Sequence, residues 1–367
     1  MQPQETKMWR NTEFSRRLGL AAPIIQGPFG NGMSTVDLVV AVAEAGALGS
    51  FGVHHLAADA IRDVGAQIRS RTQRPFALNL WIPLGDADDP QMTDRQFVTY
   101  RELLRPYFEE LRVPLPSRPE RFAPRYAEQL EAVLEVRPAV FSFVFGVPSH
   151  DVIERCRSAG IATLGTATTP SEAKLLETSG VDMIVATGFE AGGHRASFLK
   201  PAEECLTGTL ALVPQVVDAV RVPVIAAGGI ADGRGIAAAL MLGAQGVQIG
   251  TAFLACDESA ADSLYRERLL NSEPTQTALT KSFTGRLARG LRNQFMDDMA
   301  RHESALAPYP VQRWLTAHLK SAASKAGRSD LVAMWSGQSA PLLRHRKASQ
   351  LVEALITQTT AAVARFS

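Results

Sequence analysis

The chain is poor in cysteine. Cys156, Cys205 and Cys256 are its only three among 367 residues, and they lie far apart. They cannot form a disulfide framework and show no zinc-ligand spacing, so a reducing cytosol fits best. Excess charge of either sign is also missing: 38 Lys and Arg stand against 37 Asp and Glu, a net charge of +1. No strong field is present to attract nucleic acid or an anionic membrane. No window approaches the ~20 uncharged apolar residues of a membrane span. The start, Met1 to Lys7, lacks the apolar core of a secretion signal. The 28 Gly and 21 Pro follow no period, which excludes a collagen-like or low-complexity chain. What remains is 46% hydrophobic and 20% charged, enough apolar surface to offset the entropy of ordering. The expectation is a cytoplasmic protein that binds neither nucleic acid nor membrane, acts on a small molecule, and is a monomer or a homodimer.

Two textures alternate over the first two thirds. Short apolar runs occur at 24–26, 48–51, 76–80, 140–144, 161–164, 183–186, 224–227 and 246–249. Between them, helical periodicity marks 35–45, 57–70, 126–136, 149–159, 170–179, 207–220 and 233–242. Continuous apolar strands imply burial on both faces, and strand–helix repetition implies a parallel sheet. Eight such units in roughly 250 residues predict an α/β fold of the TIM (β/α)₈ type. A doubly wound open sheet is the rival, but it would usually carry one Gly-rich loop at its first helix. Here glycines end several strands.

Two segments break the repeat. Residues 82–125, an insertion after strand 3, open on Pro83 and close on Pro114, Pro116 and Pro119, with a charged helical piece between. A stretch of that kind suits the mouth or side of the barrel, or a lid. After Cys256 the texture turns helical and polar. The expected domains are a barrel over 1–256 and a C-terminal helical subdomain over 257–367 packed on it.

The residues that carry chemistry sit at strand ends. Gly228-Gly229 follow the seventh run, and Gly250-Thr251 follow the eighth. Loops after those two strands form the usual phosphate site of a barrel, because glycine lets backbone N–H groups approach phosphate oxygens. The alternative is that they only make tight turns. Asn79, Gln26 and Gln248 place three amides at the mouth with no charge among them, which suits a neutral heterocycle. An amide bonded to a neighbouring loop is the blander account. Gly27-Pro28 to Gly30 would let backbone run against a flat ligand, or would simply lead into a helix capped by Ser34 or Thr35. The densest constellation is Glu190-Ala191-Gly192-Gly193-His194-Arg195 after the sixth run. It exposes an imidazole, the side chain that titrates nearest neutrality, able to take a proton from carbon or to stabilise an anion. The other six histidines read as surface-loop residues, and the adjacent His54-His55 do not suggest a metal site. No Gly-x-Ser-x-Gly elbow, Walker loop, His-Glu-x-x-His or Cys-x-x-Cys occurs.

These residues resemble the nitronate monooxygenase family, formerly called 2-nitropropane dioxygenases. The resemblance runs from about Pro23 to about Gln338, apart from 82–125. It includes Pro23 to Pro28, Asn79, Gly188 to Arg195, Ala226 to Ile230 and Gln248 to Thr251. Phe283-Thr284-Gly285-Arg286, Ala288-Arg289-Gly290 and Ser336-Gly337-Gln338 look like the C-terminal pattern of the class I members. The resemblance implies a barrel carrying non-covalent FMN that oxidises alkyl nitronates, and nitroalkanes, with O₂ to carbonyl compounds and nitrite. Gln26, Gly27, Pro28, Asn79, Thr187, Gly192, Gly193, Gly228, Gly229, Gln248, Gly250 and Thr251 would bind the cofactor. His194 falls on the family's catalytic histidine. Thr187 stands where many members carry Gln. The same barrel also occurs in FMN-dependent enoyl-acyl-carrier-protein and quinone reductases that use NAD(P)H. A flavin-free phosphate-binding isomerase or aldolase is a third reading, although no Lys at a strand end supports a Schiff base.

Overall fold

A computed structural model describes residues 5–84 and 90–365. In chain order its strands are β1 (Ile24–Gln26), β2 (Gly49–Gly52), β3 (Phe76–Trp81), β4 (Val140–Val144), β5 (Ala162–Ala167), β6 (Met183–Thr187), β7 (Gly193–His194), β8 (Val224–Ala227), β9 (Gly246–Ile249), β10 (Thr277–Thr280) and β11 (Ala288–Leu291). Eight of them form one parallel sheet in the order β1-β9-β8-β6-β5-β4-β3-β2. A parallel bridge between Ile25 and Leu48 joins its two ends. There Leu48 N–H donates to Ile24 O and Gln26 N–H to Leu48 O, both at 2.9 Å. The result is a TIM barrel, and each of the eight apolar runs is one of its strands.

The strands lack polar alternation because both their faces are covered. Ile25, Leu48, Val140, Leu164, Met183 and Ile225 point inward and pack with Phe14, which the Glu13–Leu18 helix delivers to the core. Their neighbours, such as Ile24, Leu78, Phe141, Ile184, Ala226 and Val247, pack under the helices. Local capping sets where the helices begin. Thr35 accepts from Leu38 N–H at the start of Val36–Glu44, and Asp232 accepts from Arg234 and Gly235 N–H at the start of Gly233–Met241. Ser34, the other expected cap, instead bonds Phe29 and Gly52, tying the loop after β1 to β2.

The outer ring is completed from a distance. After β9 the chain makes only a four-residue helix, Thr251–Leu254. The last helix, Ala348–Val363, returns to pack against both Val36–Glu44 and Gly233–Met241. Gln358 Oε1 there accepts from Gly233 N–H at 3.1 Å.

The 82–125 segment does lie between β3 and the Tyr126–Val136 helix; its residues 85–89 fall outside the described residues. Its helices Asp94–Leu103 and Arg105–Glu110 do not stand alone. Phe97, Leu104 and Phe108 share a second core with Phe295, Val311 and Leu315 from the C-terminal region, and Tyr107 Oη donates to Asp298 at 3.1 Å. The region after residue 256 is not wholly helical, as its texture suggested. β10 and β11 interrupt it, and they form an antiparallel sheet with β7 in the order β10-β11-β7. Both are short and mix polar or charged residues with apolar ones (Thr-Ala-Leu-Thr and Ala-Arg-Gly-Leu), so neither forms the continuous apolar run by which the barrel strands are read. Phe108 is fully buried in this second core. Phe108→Ala is expected to cost about 3–5 kcal/mol in a urea unfolding titration. A cost below ~1 kcal/mol would show that the insertion is only loosely laid on the molecule.

Candidate active site

A cavity opens at the C-terminal ends of the barrel strands. It encloses about 1310 Å³ of non-atom space, open solvent at the mouth included. Of the residues expected at the site, Gly27, Pro28, Asn79, Thr187, Gly192, Gly193, His194, Gly228, Gly229, Gln248, Gly250 and Thr251 all line it. Gln26 does not. Its side chain is fully buried and donates to Gly27 O, while its Oε1 accepts from Ser50 N–H at 2.9 Å. It therefore fastens β1 to β2 and has no face left for a ligand.

The loop after β6 shows how local chemistry places the imidazole. Glu190 accepts from Thr209 N–H at 2.9 Å. Arg195 is fully buried and donates to Gly188 O at 2.7 Å and Thr187 O at 2.9 Å. Burial lowers its pKa to about 10, and the nearby Glu190 and Glu172 partly oppose that shift. The two charged members of the Glu-Ala-Gly-Gly-His-Arg run are thus braces. A Cβ at Gly192 would stand 2.6 Å from Gly337 N, so only glycine allows the C-terminal Ser336-Gly337 segment to lie against the loop. There Gly337 N–H donates to Thr251 Oγ1 and Gln338 N–H to Glu190 O. Gly228 and Gly229 have φ of 103° and 71°, values that side-chain-bearing residues rarely adopt.

His194 is held by β7, which pairs with β11 through His194–Ala288 and Gly193–Arg289. Its Nε2 lies 2.9 Å from Thr284 Oγ1. Aromatic rings surround it: Trp81 edge-on at 4.8 Å, Trp335 at 5.3 Å and Phe145 at 6.4 Å. Burial, then the positive charges of Arg286 and Arg313, push its pKa down to about 3. An imidazole so placed is neutral at neutral pH and keeps a lone pair for a proton. The Arg286 guanidinium rests on the rings of Phe145 (4.3 Å) and Tyr309 (4.1 Å), and burial lowers its own pKa to about 10.

Sequence reasoning missed part of the wall. His54, read as a surface-loop residue, is buried, stacks on Trp81 at 4.0 Å and lines the cavity. Burial, then the Arg313 charge, hold it well below the usual histidine range. Trp81, Phe145, Tyr265 and Trp335 also line it. Trp81 lies one residue beyond the third run, so a strand-end aromatic was its only signal. Tyr265 and Trp335 are brought in by tertiary contacts alone. Cys256, just after the short Thr251–Leu254 helix that follows β9, is fully buried, and burial pushes its thiol far up. Among the described residues no group of three or more His, Cys, Asp or Glu could hold a metal ion. Nor is any helix among them long and apolar enough to cross a membrane.

The comparisons with known proteins agree with this geometry. The profile of the nitronate monooxygenase family matches residues 12–358. A protein of Staphylococcus aureus strain Newman, described as a probable nitronate monooxygenase, is 38% identical over 352 residues, covering 96% of this chain and 98% of that protein. Among solved structures, nitroalkane oxidase from Streptomyces ansochromogenes superposes with a TM-score of 0.86 at 37% identity, over 96% of this chain and 99% of that one. FabK from Thermotoga maritima superposes with a TM-score of 0.74 at 26% identity, over 97% and 98%. This barrel, with a neutral imidazole set among rings above glycine turns, belongs to the nitronate monooxygenase family of oxidoreductases.

Proposed function

We propose that this enzyme oxidises alkyl nitronates, and neutral nitroalkanes once they are deprotonated, with O₂ on a bound FMN, giving carbonyl compounds and nitrite. The observation that carries the reading is the pairing of a neutral His194 with a cavity wall of glycine turns and uncharged amides.

The residues fit FMN. A side chain at Gly250 would point into open space, with only Phe29 Cε1 near, at 3.8 Å. That turn therefore leaves room for a phosphate at backbone N–H groups, and the Gly228-Gly229 turn lines the same cavity. Gln248 and Thr187 line the cavity and make no side-chain hydrogen bond to any described residue. Asn79 donates to Ser142 Oγ at 3.0 Å, which orients its amide. These three supply uncharged donors and acceptors for a heterocycle's edge, and Gly27-Pro28 supply a flat wall. Bound there, FMN supplies the electron chemistry by which a nitronate is oxidised, and the protein supplies orientation.

This chain's own residues do the rest. His194 takes the α-proton of a nitroalkane and, once protonated, donates a hydrogen bond to the nitronate so formed. The rings of Trp81, Phe145 and Trp335 exclude water, so the Arg286 charge acts on the anion with little screening. The purified protein is expected to be yellow, to consume O₂ with ethyl or propyl-2-nitronate, and to release nitrite. A colourless protein that binds no added FMN would end this reading.

The FabK likeness supports a second reading, an FMN-dependent reductase using NAD(P)H. Anaerobic mixing with NADH or NADPH separates them: rapid bleaching of the flavin favours the reductase, and an unchanged spectrum favours the nitronate enzyme.

A further inference from the structure

We propose that Thr284 fixes the tautomer of His194, so that Nδ1 is the atom that takes the substrate proton. The second clause rests on the base role given to His194 above; the first does not.

The argument is a count of hydrogens. A threonine hydroxyl has one hydrogen to give and two lone pairs to receive. Thr284 Oγ1 donates to Arg286 O at 3.1 Å. Among the described residues it is that carbonyl's only hydrogen-bond donor. The same oxygen accepts from Arg286 N–H at 3.3 Å. With its hydrogen committed, Oγ1 can meet His194 Nε2, 2.9 Å away, only as an acceptor. The Nε2 must therefore carry the proton. In a neutral imidazole the other nitrogen is then the lone-pair atom.

That atom is Nδ1. It makes no hydrogen bond to any described residue, and the His194 ring belongs to the cavity wall. The positive charge of Arg286 acts on His194 and favours a lone pair over an N–H on the open side. When Nδ1 takes a proton from the α-carbon, that C–H bond breaks and its electron pair stays with the nitronate. The imidazolium keeps its Nε2–H on Thr284, so the hydroxyl does not have to turn during the transfer. Thr284 is a positioning residue, since it touches neither substrate nor cofactor.

The test is nitrogen NMR on the FMN-loaded enzyme carrying ¹⁵N-histidine, with His194 assigned by its loss in His194→Asn. Wild type is expected to show a protonated Nε2 and a bare Nδ1. Thr284→Val removes the acceptor and leaves an Nε2–H buried without a partner. That cost is expected to move His194 largely to the Nδ1–H form, with kcat/KM for nitroethane falling about tenfold. Turnover of ethyl nitronate should change less than twofold. Thr284→Ser is expected to restore the wild-type spectrum and rate. A wild-type spectrum with protonated Nδ1, or a Thr284→Val spectrum identical to wild type, overturns the proposal, and the first holds even if the valine variant fails to fold. A changed tautomer with unchanged nitroethane turnover would instead sink His194 as the base, and with it the second clause.

Discussion

Replacing His194 by asparagine is expected to slow turnover of neutral nitroalkanes by about 10²–10⁴-fold, the usual contribution of a positioned general base. Turnover of pre-formed nitronates is expected to fall less than about tenfold, since their proton is already gone and no base is needed. Steady-state kinetics on nitroethane and ethyl nitronate, run side by side, measure the split. Equal loss on both substrates would refute the base role. The pH profile checks the same claim with a definite sign. A base must be deprotonated, and a histidine lowered to about 3 stays so as pH falls across the neutral range. The nitroalkane kcat/KM of the wild type should therefore show no acid limb near the ordinary histidine value of about 6.5. A limb at that value would mean the imidazole is not desolvated as its ring cage requires.

Gly250→Val is expected to abolish FMN retention while leaving the apoprotein folded. The backbone at Gly250 has φ −100°, open to a β-branched residue. Its Cβ would meet only Phe29, so the added methyl groups project into the space assigned to the phosphate. Each charge-assisted hydrogen bond lost from the phosphate, at ~1.5–3 kcal/mol, weakens binding by about tenfold or more. Flavin fluorescence titration reads the affinity, and circular dichroism melting of the apoprotein reads the fold. Tight FMN binding by this variant would place the phosphate elsewhere.

The barrel was legible because each strand buries both faces and each helix buries one, so periodicity and length identify them without knowledge of partners. The eight runs and the helices between them recover β1 to β6, β8 and β9 for that reason. The glycines after β8 and β9 were legible too, since a tight turn above a buried strand leaves few residue types. Amides were not: Gln26 and Gln248 look alike as strand-end glutamines, yet Gln26 bonds Ser50 and Gly27 while Gln248 lines the cavity. Side-chain direction at a strand end depends on the neighbouring strand, which a single segment does not encode.

By itself, then, the order of residues determined the barrel, its sites of insertion and the loop that carries His194, because those follow from burial patterns and backbone freedom within short segments. Only the tertiary structure decided what surrounds that imidazole. Thr284, Trp335 and Arg286 come from beyond the barrel, in loops beside a small sheet whose strands carry no continuous apolar run. The lowered pKa and the nitrogen left free are properties of that packing. They arise from desolvation and hydrogen-bond partners supplied by residues ~90–140 positions away, and no local pattern specifies them.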